Sequence, residues 1–561
     1  MEKFDIWYNH KNLDRKLKQQ MSKMSETEKR DAFYTNLQFG TAGMRGILGP
    51  GSNRMNIYTI RKANLGFGQY IASFGEEAKH KGVAIAYDNR YMSKEFAYES
   101  AKILASLDIK SYVFPSLRPT PMLSYAVREL KCAGGIVITA SHNPKEYNGY
   151  KVYDETGCQL VPVLIEQVIT YVDRIENELD IEVSLTKEQE KLINEIGPNI
   201  DSLYYQNVLN IQLNPQINKE NFKVVFTPQH GTALIAVTEV LKEAGYNMIT
   251  VTEQADPDPE FSHTKTPNPE ERAAYDLAIE YMKQHQAPIA IATDPDADRL
   301  GVVVRIDEEY QLLTGNQTAA ILIEYMFSQM EKHNIMPNNP LMLNTVVTSY
   351  LGDVIAEHYG VETEKTLTGF KFIGDRIAHY EKTHEKDFVF GYEESYGYLN
   401  KPFVRDKDAI QAALMICEAA CYYFNQNKTL LDVLEEIYQK YGYYLDTQTS
   451  LTLKGEAGQQ KLNQIIEKIR FSNIVDIAGY KVVRKEDYGL RKSFENEKEY
   501  ELDFPISDVI KFYLEDGSWI AIRPSGTEPK CKFYYCIRGD SLENTSKKFT
   551  ELQEKIAELI Q

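Results

Sequence analysis

Basic residues are in short supply: 63 Lys and Arg face 81 Asp and Glu, leaving a formal charge of -18. Such a chain is repelled by nucleic acid and by anionic membrane surfaces, so neither is expected as a partner. Cysteine is sparse too. The six residues (Cys132, Cys158, Cys417, Cys421, Cys531, Cys536) form no CxxC and no framework spacing. A disulfide scaffold is thereby excluded; the expectation is a reducing, cytoplasmic compartment with most of the thiols buried as small hydrophobes. Neither end carries an apolar run of signal or membrane-spanning length, and Met1 to Arg30 is polar and charge-rich, so no anchor is expected. There is no low-complexity linker, short-period repeat or long charge block. None of the glycine-rich loops matches a Walker A or dinucleotide fingerprint.

What is present is an ordinary soluble composition, 43% hydrophobic and 26% charged over 561 residues. That length exceeds one core and suggests about three to five domains. Strand-like apolar runs alternate with helix-period segments, the pattern of an α/β protein. Val83–Tyr87 runs into the polar turn Asp88-Asn89-Arg90, with a helix expected from Ser93 to Ser106. Gly135–Thr139 delivers a serine turn. Lys223–Phe226 leads to Thr227–Thr232 and a helix from Ala233 to Ala244. Ile289–Ala292 delivers an acidic loop that Gly301–Val304 leaves, and Phe388–Phe390 delivers Gly391-Tyr392-Glu393-Glu394-Ser395. In each case a buried strand ends in a polar loop, where open α/β sheets place their ligand sites. A helix and connector is expected near Leu185–Leu203, a separating turn near Asp307–Tyr310, and a helix over Thr429–Tyr441.

Two loops carry the chemistry. Thr139-Ala140-Ser141-His142-Asn143-Pro144 sets a hydroxyl nucleophile in a turn, and Asp294-Pro295-Asp296-Ala297-Asp298-Arg299 offers three carboxylates at alternate positions. Three convergent carboxylates imply a hard divalent cation, and oxygen ligands beside phosphate favour Mg²⁺. A calcium EF-hand starting at Asp294 fails, because its sixth and twelfth positions are Arg299 and Arg305. Together the loops point to phosphoryl transfer through a phosphoserine. His142 is read as an organiser of its loop. Lys151 is the better proton handler, on the expectation that neighbouring cations depress its pKa toward neutrality. Arg523-Pro524-Ser525-Gly526-Thr527-Glu528-Pro529 suits a phosphate cradle, and Glu393 with Ser395 suits sugar hydroxyls. Phe39-Gly40-Thr41-Ala42-Gly43-Met44-Arg45-Gly46 is another glycine-rich loop with one fixed cation. Taken singly, each has a plain alternative: a solvated Asp-rich turn, a capping serine, a surface lysine, a Pro/Gly turn.

In conjunction and in chain order, the loops Thr139–Pro144, Asp294–Arg299, Gly391–Ser395 and Arg523–Pro529 resemble the four signature loops of the α-D-phosphohexomutase superfamily. Phe39–Gly46 and Thr368-Gly369-Phe370-Lys371-Phe372-Ile373-Gly374 are similar to its phosphoglucomutase branch, close to the phosphopentomutase-like members. The resemblance runs from about Phe39 to Lys530 and implies an α/β, heart-shaped, four-domain architecture around a central cleft: three mixed α/β domains and a smaller C-terminal α+β domain. The matching segments are 1–203 with the phosphoserine loop, 204–308 with the metal loop, 309–442 with the sugar loop and 443–561 with the phosphate loop. It further implies that Ser141 is the phosphoserine, joining Asp294, Asp296 and Asp298 in binding Mg²⁺. Arg45 and Lys151, supported by His142, would handle protons or charge; Arg299 would sit beside the metal loop and the transferred phosphoryl, and Lys371 would add charge near the sugar. Glu393 and Ser395 would hold sugar hydroxyls, and Arg523, Ser525, Gly526 and Thr527 the non-reacting phosphate.

The implied reaction interconverts glucose 1-phosphate and glucose 6-phosphate, with glucose 1,6-bisphosphate as intermediate and activator. Sugar phosphates are then the partners of a monomer or homodimer. Tyr396-Gly397-Tyr398 stands where some dual-specificity phosphomannomutases carry Gly-His, which leans toward glucose; mannose and pentose phosphates stay open. A Mg²⁺-dependent sugar phosphatase would make a cradle for the non-reacting phosphate superfluous. A non-catalytic sugar-phosphate-binding protein would be expected to have lost Ser141, a carboxylate or Arg299, and all are present.

Overall fold

The computed structural model describes residues 2–40, 43–453, 455–496, 498–524 and 530–560. The chain divides into two compact units, Met1–Gly315 with Phe370–Thr429, and Asn316–Gly369 with Leu430–Gln561.

The first unit holds two mixed sheets. The first contains β1 (Met44–Ile47), β2 (Val83–Tyr87), β3 (Ser111–Val113), β4 (Gly134–Ile138), β5 (Tyr147–Asp154) and β6 (Ile193–Glu195), in the spatial order β1-β5-β4-β2-β3-β6. The central strands β4, β2, β3 and β6 are parallel, and β5 with β1 adds an antiparallel edge. Every residue of Val-Ala-Ile-Ala-Tyr in β2 is buried, as a strand covered by helices on both faces requires. The helix Ser93–Ser106 falls as expected, and Ile57–Ala72 starts at Asn56 with a capping box to Thr59. Leu185–Leu203 differs from expectation. It holds a one-turn helix (Lys187–Glu190), the edge strand β6 and the start of helix Pro198–Leu209. Three residues of strand are too few for a periodic signal.

The second sheet contains β7 (Lys223–Thr227), β8 (Asn247–Thr250), β9 (Ile289–Thr293), β10 (Leu300–Ile306) and β11 (Glu309–Leu312), in the order β11-β10-β9-β7-β8. β8, β7 and β9 are parallel, and β10 and β11 return antiparallel. The charged turn at Asp307 is the tip of the β10–β11 hairpin, so this sheet extends past 308 to Leu312. Each Val, Ile, Leu or Phe sealed in such a core stabilises the fold by about 1.5–3 kcal/mol. The hairpin Asp387–Glu393/Gly397–Leu399 and the helix Ala409–Phe424 complete this unit. That helix is buried at 14 of its 16 positions and is capped by the buried Asp408, which accepts from the backbone N–H of Ile410 and Gln411.

The second unit pairs strands Pro340–Thr345 and Glu362–Thr366 in parallel. It also carries the C-terminal antiparallel sheet, eight strands between Tyr443 and Gly539, with helices Gly455–Phe471 and Leu542–Leu559. Within it Lys511, 1% exposed, donates to the Val346 carbonyl at 2.6 Å. Its ammonium lies 4.0, 4.8 and 5.3 Å from the ring centroids of Trp519, Tyr513 and Tyr350. All six cysteines are buried and free. No helix among the described residues is long and apolar enough to cross a membrane.

Candidate active site

The polar loops sit at the C-terminal ends of buried parallel strands. β4 ends at Ile138 and the next residues turn sharply: Ser141 adopts φ 51°, a left-handed conformation uncommon for a non-glycine residue. Its N–H is satisfied by Thr139 Oγ1 at 2.9 Å. The buried Oγ donates to Asp294 Oδ2 at 2.8 Å and lies 3.1 Å from His142 Nδ1. Two loops that the sequence singles out, with Ser141 and Asp294 standing 153 positions apart, thus meet atom on atom.

β9 ends at Thr293, and the acidic loop curls back on itself. Asp294 Oδ1 accepts from the N–H of Asp298 at 3.1 Å and of Arg299 at 3.0 Å, around Ala297 at φ 56°. Asp294, Asp296 and Asp298 are 0–1% exposed, and one oxygen from each lies within 4.8 Å of the others. Asp296 Oδ1 and Asp298 Oδ1 are buried with no hydrogen-bond partner among the described residues. Buried acceptors without donors are costly. An all-oxygen set with lone pairs left over fits a hard divalent cation. Burial and the two neighbouring carboxylates push Asp294 well above the usual carboxylate range. Burial also opposes ionisation of Asp296, but the Lys151 ammonium at 3.1 Å overrides it and holds this carboxyl below its ordinary value.

Lys151 corrects one expectation. On β5 it points at Asp296 and, at 3.5 Å, at Asp298. Burial favours the neutral amine, yet the facing carboxylates win and raise its pKa. Its facing acids outweigh the one nearby cation, Lys407, so it is held charged. His142 goes the other way: burial, Arg299 and Arg45 push it down to about 2, so the ring is neutral. Arg45, on β1, donates to Asn143 Oδ1 at 2.7 Å. Arg299 pairs with Glu270 and lies 3.9 Å from Asp298. Glu393 ends its strand and is buried; Ser395 is half-buried in the following turn. Lys371 lies in the first turn of helix Phe370–Thr383, its carbonyl accepting from Cys158 Sγ. Arg523 belongs to the second unit, half-buried near the end of strand Trp519–Pro524. Ser525, Gly526 and Thr527 lie outside the described residues.

Sequence reasoning missed Lys407, Glu270, Thr120 and Arg90. Lys407 Nζ lies 3.3 Å from Asp298 and 3.9 Å from Glu393, bridging the acidic and sugar-suited loops. A Cβ on Gly397 would stand 2.4 Å from the Lys407 side chain, so a larger residue there would displace the lysine stem. The signal was available: the charged triplet Asp406-Lys407-Asp408 directly precedes an almost wholly apolar helix and must enter the interior with it. Thr120 donates to Asp296 Oδ2 at 3.1 Å. On the second sheet, Thr232 N–H bonds to Pro295 O, and a Cβ on Gly231 would meet Pro295 Cα at 2.4 Å.

A buried serine hydroxyl bonded to a cluster of three carboxylates that could hold a metal ion, on mixed α/β sheets, suits an enzyme class that moves phosphoryl groups. The chain belongs to the phosphoglucomutase/phosphomannomutase family and is an enzyme of the phosphomutase kind. The α/β/α domain I model of that family matches residues 36–179, domain II 202–306, domain III 314–441 and the C-terminal domain 464–557. A phosphoglucomutase of Staphylococcus epidermidis is 40% identical over 529 residues, covering 93% of this chain and 95% of that protein. One from Staphylococcus aureus is 37% identical over 553 residues, with 98% of each covered. The fold is shared with a putative phosphomannomutase from Thermus thermophilus, with TM-score 0.69, 20% identity, 94% of this chain and 99% of that one. It is equally shared with the open form of the Paramecium phosphoprotein pp63/parafusin, with TM-score 0.69, 20% identity, 94% and 95% covered.

Proposed function

We propose that this enzyme interconverts α-D-glucose 1-phosphate and glucose 6-phosphate through a phosphoserine at Ser141, with glucose 1,6-bisphosphate as the intermediate. The observation that carries the reading is the direct bond between Ser141 Oγ and Asp294 inside the carboxylate cluster. In the first transfer the Ser141 Oγ–P bond breaks as a bond forms from phosphorus to the free sugar hydroxyl, whose proton leaves for a base. The bisphosphate turns over, and Ser141 takes back the other phosphoryl. Asp294, Asp296 and Asp298, with the serine's phosphate, would hold Mg²⁺, which when bound offsets charge on the transferring group.

Lys151 and Arg299 add fixed positive charge beside it, where preorganised electrostatics supply most of the catalysis. Neutral His142 keeps a ring nitrogen 3.1 Å from Oγ to orient it. Arg45 steadies the loop through Asn143. Glu393, set by Lys407, and Ser395 suit the sugar hydroxyls, Lys371 the charge nearby, and Arg523 with Ser525, Gly526 and Thr527 the phosphate that is not reacting. Glucose is favoured by the similarity to phosphoglucomutases along nearly the whole chain. The soluble cytoplasm suits such substrates.

The test is kcat/KM for glucose 1-phosphate, mannose 1-phosphate and ribose 1-phosphate with Mg²⁺ and a trace of glucose 1,6-bisphosphate. Fastest isomerisation of the glucose ester is expected, lost on chelation and in Ser141→Ala. Preference for another sugar changes the substrate and keeps the mechanism. Free phosphate without isomer, or a fully active Ser141→Ala, overturns it.

A further inference from the structure

Ser141 is held in a left-handed turn, and the group that holds it is not one of the signature residues. Arg90 is 3% exposed, in the turn after β2. Its guanidinium donates to four carbonyls of the serine loop: Ser141 O at 2.6 Å, Pro144 O at 2.8 Å, Tyr147 O at 3.1 Å and Asn143 O. Asp88 lies 3.3 Å from Arg90 Nε and supplies the countercharge. Asp88 is itself fixed by the Arg90 N–H and the Ser93 hydroxyl. A planar fork with several donors suits this role; an ammonium, a point donor, cannot span four acceptors.

The other face of the guanidinium meets the second sheet's long loop. The Phe261 ring centroid lies 5.2 Å from Arg90 Cζ, and Phe261 is held at φ 52°. The same loop is strapped to the serine side by Asn89 to Asp258 O, and by Tyr91 and Lys145 to Glu260. Arg90 therefore bridges the loop bearing Ser141 and a separate loop, around Phe261, of the sheet that also bears Asp294.

We infer that Arg90, backed by Phe261, is the positioning residue that sets Ser141 against the carboxylate cluster for both phosphoryl transfers. This rests on the mutase reading above. Because the Arg90 fork is taken up by backbone carbonyls, its loss acts on kcat, and a displacement of about 1 Å at the serine costs roughly 10²-fold. A displaced phosphoserine also loses its phosphoryl to water more readily, relative to transfer.

The experiment uses the full-length enzyme with Mg²⁺ and glucose 1,6-bisphosphate, comparing the parent with Arg90→Lys and Phe261→Leu. Glucose 1-phosphate isomerisation and free phosphate release are followed together. Absence of isomerase activity in the parent would sink the mutase reading itself. With an active parent, Arg90→Lys is expected to lose about 10²-fold in kcat, with KM little changed and phosphate released per isomer formed increased. Phe261→Leu should move the same way by a smaller factor. An Arg90→Lys enzyme with parental kcat, or one whose KM rises while kcat holds, overturns the assignment. Should Arg90→Lys fail to fold, Phe261→Leu decides alone: parental kcat and parental phosphate release overturn it.

Discussion

Two of the buried lysines, Lys151 and Lys511, are driven in opposite directions by their surroundings. Lys151 is 7% exposed and faces Asp296 and Asp298, which raise its pKa despite burial. Lys511 is 1% exposed and faces the rings of Trp519, Tyr513 and Tyr350; burial and the nearby Lys365 push it down to about 7. Burial sets the cost of a charge, and the neighbours decide whether it is kept. The lysine beside the candidate cation site is the charged one.

The contrast can be broken at either end. The largest effect is expected from Lys151→Met, which strips Asp296 of its facing ammonium and leaves Asp298 with Lys407 and the more distant Arg299. Loss of kcat by about 10²–10³-fold is expected in the isomerase assay, and a parental kcat would assign the charge balance elsewhere. Lys511→Met acts on stability instead. A lysine depressed in the folded state penalises folding fully below its folded pKa, about 7. The penalty fades as pH rises toward the unfolded value of about 10.4. Parental stability should therefore rise through that window, by up to about 1.4 kcal/mol per pH unit. Lys511→Met should flatten the rise in urea melts between about pH 6.5 and about pH 9.5. A parental curve already flat would show that the ring faces and the Val346 carbonyl keep the ammonium charged.

Smaller effects sharpen the picture. His142, held neutral with a pKa of about 2, contributes no ionisation at working pH. His142→Gln should lower kcat by about five- to tenfold, the worth of one hydrogen bond, and leave the shape of the kcat/KM pH profile unchanged. A new or vanished limb near about pH 6.5 would contradict it. Tyr350→Leu removes one ring from around Lys511 and should cost about 0.5–1 kcal/mol in the same melts, most clearly at low pH. An unchanged midpoint there would mean Trp519 and Tyr513 suffice.

Much of this was legible in the sequence because loop chemistry and strand burial coincide. Val83–Tyr87, Ile289–Ala292 and the helix Ser93–Ser106 declare themselves by apolar runs and periods, and each places a polar turn at a strand end. Ser141 and the three aspartates could be named for that reason. What stayed hidden depends on which loops meet in space. Lys151 was expected among cations and sits among carboxylates, because β5 folds back beside β4 and turns that face toward Asp296. Arg90 looked like an ordinary turn residue, since its four partners are backbone carbonyls and carry no side-chain signature. β6, three residues at a sheet edge, was too short to show a period.

The division of the chain has a consequence for its synthesis. The unit carrying Ser141 and the aspartates draws on Met1–Gly315 and then on Phe370–Thr429, while the other unit claims the interval between them. A ribosome delivering residues in order exports the whole acidic loop long before Lys407, its second countercharge, leaves the exit tunnel. Until then three carboxylates have Lys151 and Arg299 as their main cations, and the nascent first unit is unfinished however long it waits. Pausing once residue 429 has cleared the tunnel, when both of its segments are out, would let this unit settle before the C-terminal sheet is complete.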